Sequence, residues 1–131
     1  MTTQQAMYAR SSARHLAACP LHHIPVDIPH VPRPAHWFSR AALPPPPTAP
    51  VLLWLHGGYY LTGSATMHVA PMTTWLWASD ALQSMAILSL EYTLTPEAAF
   101  PTALQQSACN TGFVFLCCLL FGVDVYTLLV S

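Results

Sequence analysis

The sequence has no lysine, and only 7% of its 131 residues are charged. A soluble domain ordinarily carries about 25%. All four bases are arginines, Arg10, Arg14, Arg33 and Arg40, so beyond position 40 the chain holds only acids: Asp80, Glu91, Glu97 and Asp124. No basic face exists, which excludes a nucleic-acid partner. The four cysteines, at 19, 109, 117 and 118, form no C-x-x-C pair and follow no secretory h-region. A disulfide framework is therefore not indicated, and Cys117-Cys118 read as small hydrophobes in an apolar run. Glycine is scarce too: its five positions, 57, 58, 63, 112 and 122, include no pair four apart.

What is abundant is apolar residues, at 53%, and proline, at thirteen. So few charges cover a core poorly, which points to a fragment, a membrane-associated protein or a faulty reading frame. A large α/β domain commonly needs roughly 200–250 residues, more than this chain supplies. Residues 1–18 are read as a weak helix or an unstructured lead-in. Arg10, Ser11, Ser12 and Arg14 in an acid-free start faintly resemble a mitochondrial presequence. Prolines punctuate 19–50, and each fixes φ and removes an N–H. Residues 24–28 and 36–40 are accordingly expected as edge strands. The run Pro44 to Pro47 is expected as a surface connection of polyproline character.

Val51 to Leu55 is an unbroken apolar run of strand length, and Met85 to Leu90 is a second. Such runs suit strands buried on both faces of a parallel sheet. Between them a helix is expected from about Ala70 to Leu82, with Pro71 at an early position. A further helix begins near Phe100-Pro101, where proline is tolerated in the first turn. Strand, helix, strand, helix is the pattern of an α/β protein with a parallel sheet and flanking helices. Three segments result: a lead-in and proline-rich edge region over 1–48, an α/β portion over 49–108, and an apolar tail over 109–131.

The first apolar run ends in His56-Gly57-Gly58-Tyr59, and Glu91-Tyr92-Thr93-Leu94-Thr95-Pro96-Glu97-Ala98-Ala99-Phe100-Pro101 follows about 35 residues later. Both segments, in this order, resemble the hormone-sensitive-lipase/esterase group of α/β-hydrolases. That group carries an H-G-G-G loop and a Y-R-L-A-P-E-x-x-F-P segment. Tyr92, Leu94, Pro96, Glu97, Phe100 and Pro101 match; Thr93 and Thr95 replace the usual Arg and Ala, and Tyr59 replaces the third Gly. The resemblance covers roughly residues 24–107. It implies a partial, incomplete α/β-hydrolase fold with a mostly parallel sheet, and a carboxylic-ester hydrolase lineage acting on a small-molecule ester. No cofactor and no metal are implied.

The chemistry of the loop is intelligible by itself. Acyl transfer builds negative charge on a carbonyl oxygen, and fixed backbone N–H groups stabilise it. By resemblance the donors are the N–H groups of Gly58 and Tyr59, with His56 and Gly57 positioning the loop. Pro96-Glu97 has no evident chemical role, and Glu97 is expected to be buried or half-buried and to fix the turn by hydrogen bonds.

The catalytic residues of such a fold are expected to be absent. A nucleophile elbow, G-x-S-x-G, needs two glycines four apart, and the triad runs serine, acid, histidine. No such glycine pair exists, Ser64 stands outside any elbow, and the last histidine is His68. Loss of resemblance after Gln106 suggests a truncated product or a retained intron. Phe113 to Val130 is alternatively just long enough for a membrane-spanning helix. Asp124 within it would cost roughly 2.5–3.5 kcal/mol near the bilayer centre. Location is read as cytoplasmic or membrane-associated. A remnant that binds hydrophobic ligands or partners is the remaining alternative. His22, His23, His30 and His36 crowd one proline-rich stretch, but without ligand spacing they read as surface or packing histidines.

Overall fold

In the computed structural model, residues 3–18, 21–46, 48–57, 61, 63–95, 97–99, 101–106 and 125–129 are described. Helix α1 (Thr3–Ala18) leads into strands β1 (His22–Val26), β2 (Ala35–Ser39) and β3 (Val51–Leu55). Helix α2 (Val69–Trp77) and a 3-10 turn (Asp80–Leu82) connect β3 to β4 (Ala86–Ser89), and β5 (Val125–Leu129) completes the sheet. The strand order is β1-β2-β4-β3-β5. β1 with β2 and β2 with β4 pair antiparallel, whereas β4-β3 and β3-β5 pair parallel. The parallel expectation thus holds for β3, β4 and β5. The turn through residues 27–34, with three prolines, returns β2 beside β1 in the opposite direction.

The two apolar runs are strands with both faces covered. On one face Leu52, Trp54, Phe38 and Ile87 pack against Val69, Met72 and Leu76 of α2. Those three helix positions recur with the spacing of a single helical stripe. On the other face Val51, Leu53 and Leu88 join Leu90, Tyr92, Leu94 and Ala103, the last from the helical residues 102–106. Alternate residues of β3 thus enter different cores, and no position is left for a polar side chain. That is why the strand reads as an unbroken apolar run.

Two expectations change. β2 is not an edge strand: it lies between β1 and β4 and pairs with both. The prolines flank it rather than interrupt it, while Pro25 sits in β1 at the sheet margin, where a strand proline is tolerated. The second helix stops at Trp77 rather than Leu82. Ser79 turns extended there, and its hydroxyl accepts the Ala81 N–H, restarting the chain as the 3-10 turn. Of the two readings of the N-terminal lead-in, the helical one holds, over 16 residues. It is rich in alanine and free of glycine and proline, and it lies against α2.

Arg40, just after β2, closes α2. Its guanidinium donates to the carbonyl oxygens of Leu76 (3.1 Å) and Ser79 (3.2 Å) and lies 3.9 Å above the Trp77 ring. A cation at a helix C-terminus opposes the negative end of the helix dipole and satisfies open carbonyls. Among the described residues no helix is long and apolar enough to cross a membrane. Of the candidate span Phe113 to Val130, residues 125–129 are strand rather than helix, and the rest lies outside the described residues.

Candidate active-site loop at the carboxyl ends of the parallel strands

Because β3 and β4 are parallel neighbours, the segments leaving them emerge side by side. The Leu90 N–H donates to the Trp54 carbonyl at 3.2 Å, carrying the ladder one step past β4. This brings His56, the first residue after β3 and of the first motif, against Tyr92, the first matching residue of the second motif. The rings stack with centroids 4.1 Å apart and 11° between planes. The Tyr92 hydroxyl donates to the His56 carbonyl oxygen in a short hydrogen bond and lies 3.1 Å from His56 Nδ1. By sequence Tyr92 is only a point of resemblance; a separation of 36 positions hides the direct contact.

His56 is 3% exposed. Its Nδ1 lies 2.9 Å from the carbonyl oxygen of Gly57, which only accepts, so Nδ1 carries the proton. Nε2 is then a lone pair, buried with no hydrogen-bond partner among the described residues. Burial pushes the His56 pKa down to about 4; the Gly57 carbonyl opposes the shift and nearby His68 adds to it. The ring is neutral at pH 7. His68 is held neutral in the same way: burial lowers its pKa, and its Nδ1 accepts the Trp54 Nε1–H at 3.3 Å.

Gly63 completes the surroundings of His56. Its φ is +105°, and a Cβ there would stand 2.5 Å from His56 Nδ1 and 2.8 Å from the Gly57 oxygen. Both the backbone angle and the space therefore require glycine. The segment that carries Gly63 is itself tied to the end of β4. Glu91 Oε2 accepts the Ala65 N–H at 2.8 Å, and the Ser89 hydroxyl donates to the Ala65 carbonyl at 2.8 Å. Both polar groups of one peptide residue are thus satisfied by side chains two positions apart in sequence. Burial raises the Glu91 pKa, against the lowering effects of the Ala65 N–H and of Arg33. Its Oε1 is buried without a partner among the described residues. Glu91, Ser89 and Gly63 were not anticipated. Only Gly63 had a visible signal, as an isolated glycine soon after the His-Gly-Gly turn.

Further along, the Gln106 side chain closes the second motif, accepting the Thr93 N–H at 2.7 Å and donating to the Thr93 hydroxyl at 2.8 Å. Glu97 is exposed rather than buried, and it pairs with Arg33. The hydrogen bond from that guanidinium lowers its pKa. The turn places the carboxylate outward, where water and an arginine solvate it without burial.

Of the expected loop, His56 and Gly57 are described; Gly58 and Tyr59 lie outside the described residues, as do Pro96 and Phe100. The Ser64 hydroxyl is buried and meets the Thr66 hydroxyl at 3.3 Å, not an imidazole. Among the described residues no group of three metal-ligating side chains occurs. His23 and His36, set aside as separate packing histidines, are in fact partners. Nε2 of the first lies 2.8 Å from Nδ1 of the second across β1 and β2, and both rings stack with Phe38.

Residues 52–115 match the family described as alpha/beta hydrolase fold. Among solved structures, the esterase LipW from Mycobacterium marinum is similar with a TM-score of 0.72 at 21% identity, over 97% of this chain and 40% of that one. A hyperthermophilic esterase from the archaeon Pyrobaculum calidifontis gives 0.67 at 20%, over 95% and 40%. The HSL-homolog EstE7 from a metagenome library gives 0.64 at 22%, over 95% and 39%. The chain thus spans about two fifths of the length of these structures. With two motifs meeting at the ends of adjacent parallel strands and this match across the strand-helix-strand unit, the chain has a partial alpha/beta hydrolase fold.

Proposed function

We propose that this chain supplies the oxyanion-binding loop of a carboxylic-ester hydrolase and turns over no ester by itself. One observation carries the reading. His56 and Gly57 leave the carboxyl end of a buried parallel strand with their carbonyl groups already engaged, by Tyr92 and by the His56 ring. The N–H groups that follow in sequence, of Gly58 and Tyr59, are the proposed donors to the ligand. In acyl transfer each such donor is worth about 2.7–4 kcal/mol to the developing oxyanion. Neutral His56 contributes no charge and no proton transfer; its role is to hold the loop.

The substrate is a small-molecule ester. A serine nucleophile and its base belong to the parent activity, since this sequence has neither a G-x-S-x-G elbow nor a histidine after His68. Two measurements test this. The purified chain should leave p-nitrophenyl butyrate unhydrolysed; turnover abolished by a serine-directed sulfonyl fluoride would overturn the absence of a nucleophile. Butyrate, whose carboxylate stands in for the oxyanion, should shift the amide resonances of Gly58 and Tyr59. Unmoved amides at saturating butyrate would remove the loop reading.

A further inference from the structure

We infer that Tyr92 is the positioning residue of the oxyanion loop, acting through His56 and the Gly57 carbonyl, with Gly63 as the wall that leaves room for this relay. The inference rests on the loop reading above and deepens it.

Peptide geometry makes the argument. A trans peptide is planar, so its C=O and the N–H of the next residue point in opposite directions within one plane. The Tyr92 hydroxyl fixes the His56 carbonyl, and thereby the plane that contains the Gly57 N–H. The stacked phenol ring holds the imidazole at 4.1 Å and 11°, and His56 Nδ1–H then fixes the Gly57 carbonyl at 2.9 Å. The plane so fixed contains the N–H of Gly58, the first expected donor. Two consecutive peptide planes are therefore set by one tyrosine, the second through the imidazole. Glycines confer no such order, because they have the widest backbone freedom. The loop's donors need an external clamp, and Tyr92 provides it from the neighbouring strand's exit.

Gly63 bounds the relay from behind. A methyl group there would fall 2.5 Å from Nδ1 and 2.8 Å from the Gly57 oxygen, against both ends of one hydrogen bond. Ser89 and Glu91 keep that wall in place through Ala65. The pairing of the two sequence motifs acquires a physical reason: one holds the donors, the other holds the holder.

The test uses the full chain with isotope-labelled histidine and backbone. Wild-type His56 should appear in nitrogen NMR as the Nδ1–H tautomer with a bare Nε2; an Nε2–H tautomer would overturn the proposal without any variant. Tyr92→Phe keeps the stack and removes the hydroxyl. It should leave the Nδ1–H tautomer, which the Gly57 carbonyl sets, in place. It should also loosen the peptide plane that the hydroxyl held, lowering the Gly57 amide order parameter from the rigid range of about 0.85 toward about 0.6. Leu76→Ala, a core change in the cluster on the other face of the sheet, is the comparison. An unchanged Gly57 order parameter in Tyr92→Phe, or the same drop in Leu76→Ala, would show that Tyr92 serves only packing. Butyrate shifts at Gly58 and Tyr59 report separately on the loop's function, so a failed clamp and a failed oxyanion loop give different results.

Discussion

His23 and His36, on adjacent antiparallel strands, share one hydrogen bond of 2.8 Å between ring nitrogens. One ring must donate and the other accept, so the pair is stable only while at least one imidazole is neutral. Burial pushes the His36 pKa down to about 4, with a further lowering from His23, and burial lowers His23 as well. The pair ties the marginal strand β1 to the interior strand β2.

Stability should therefore rise with pH between about 4 and 6.5 and level off above. His23, His36, His56 and His68 all have folded pKa values below their ordinary 6.5. As pH falls through 6.5 the unfolded chain takes up protons first, and folding loses free energy. For His36 the displacement from 6.5 to about 4 corresponds to at most about 3 kcal/mol. Urea denaturation at a series of pH values checks the slope, and His36→Phe should flatten it. An unaltered slope in that variant would place the effect elsewhere.

Glu91 works in the opposite direction. Its folded pKa is raised above 4.5, so the folded state binds the proton more tightly and loses stability as pH rises through that window. Glu91→Gln keeps an acceptor for the Ala65 N–H and removes the buried charge. At pH 7 it should be neutral or stabilising by thermal denaturation, whereas Glu91→Ala, which orphans the Ala65 N–H, should cost about 1–3 kcal/mol.

Arg40→Ala should destabilise by about 1–2 kcal/mol, combining lost carbonyl contacts at the end of α2 with the lost contact to Trp77. Tryptophan emission should change at the same time, because Trp77 is already 46% exposed and loses its cover. Arg40→Lys recovers only part of this, since an ammonium cannot match the planar fork.

Gly63→Ala should be among the most damaging single-methyl changes in the chain, at more than about 2 kcal/mol. Leu53→Ala, in a fully buried site on β3, should cost about 2–5 kcal/mol through its cavity. The comparison separates a backbone requirement from lost packing: the first is expected to disturb His56 resonances at native conditions, the second only the unfolding midpoint.

The apolar runs of β3 and β4 were legible because a strand buried on both faces allows no polar residue. The resemblance of two motifs made the fold class legible as well. Less visible was β2, where flanking prolines suggested a sheet margin; the pairing of Phe38 and Trp37 with β4 is a long-range choice that composition does not encode. The early stop of α2 depended on one serine side chain bonding its own neighbourhood. Contacts between distant residues were not readable at all. His56 with Tyr92, His23 with His36, and Ala65 with Glu91 arise from which strands lie side by side, and no local spacing marks them.

The position of β3 has a consequence for how the chain is made. Val51 pairs with Val125, 74 positions later in the chain. Synthesis at roughly 5–20 residues per second leaves that side of the strand without its partner for roughly 4–15 seconds. During that interval Val51-Leu52-Leu53-Trp54-Leu55, with no charge in it, presents a row of open backbone groups on a nascent chain. Until β5 emerges, that open edge is the segment of the nascent chain most exposed to pairing with another strand.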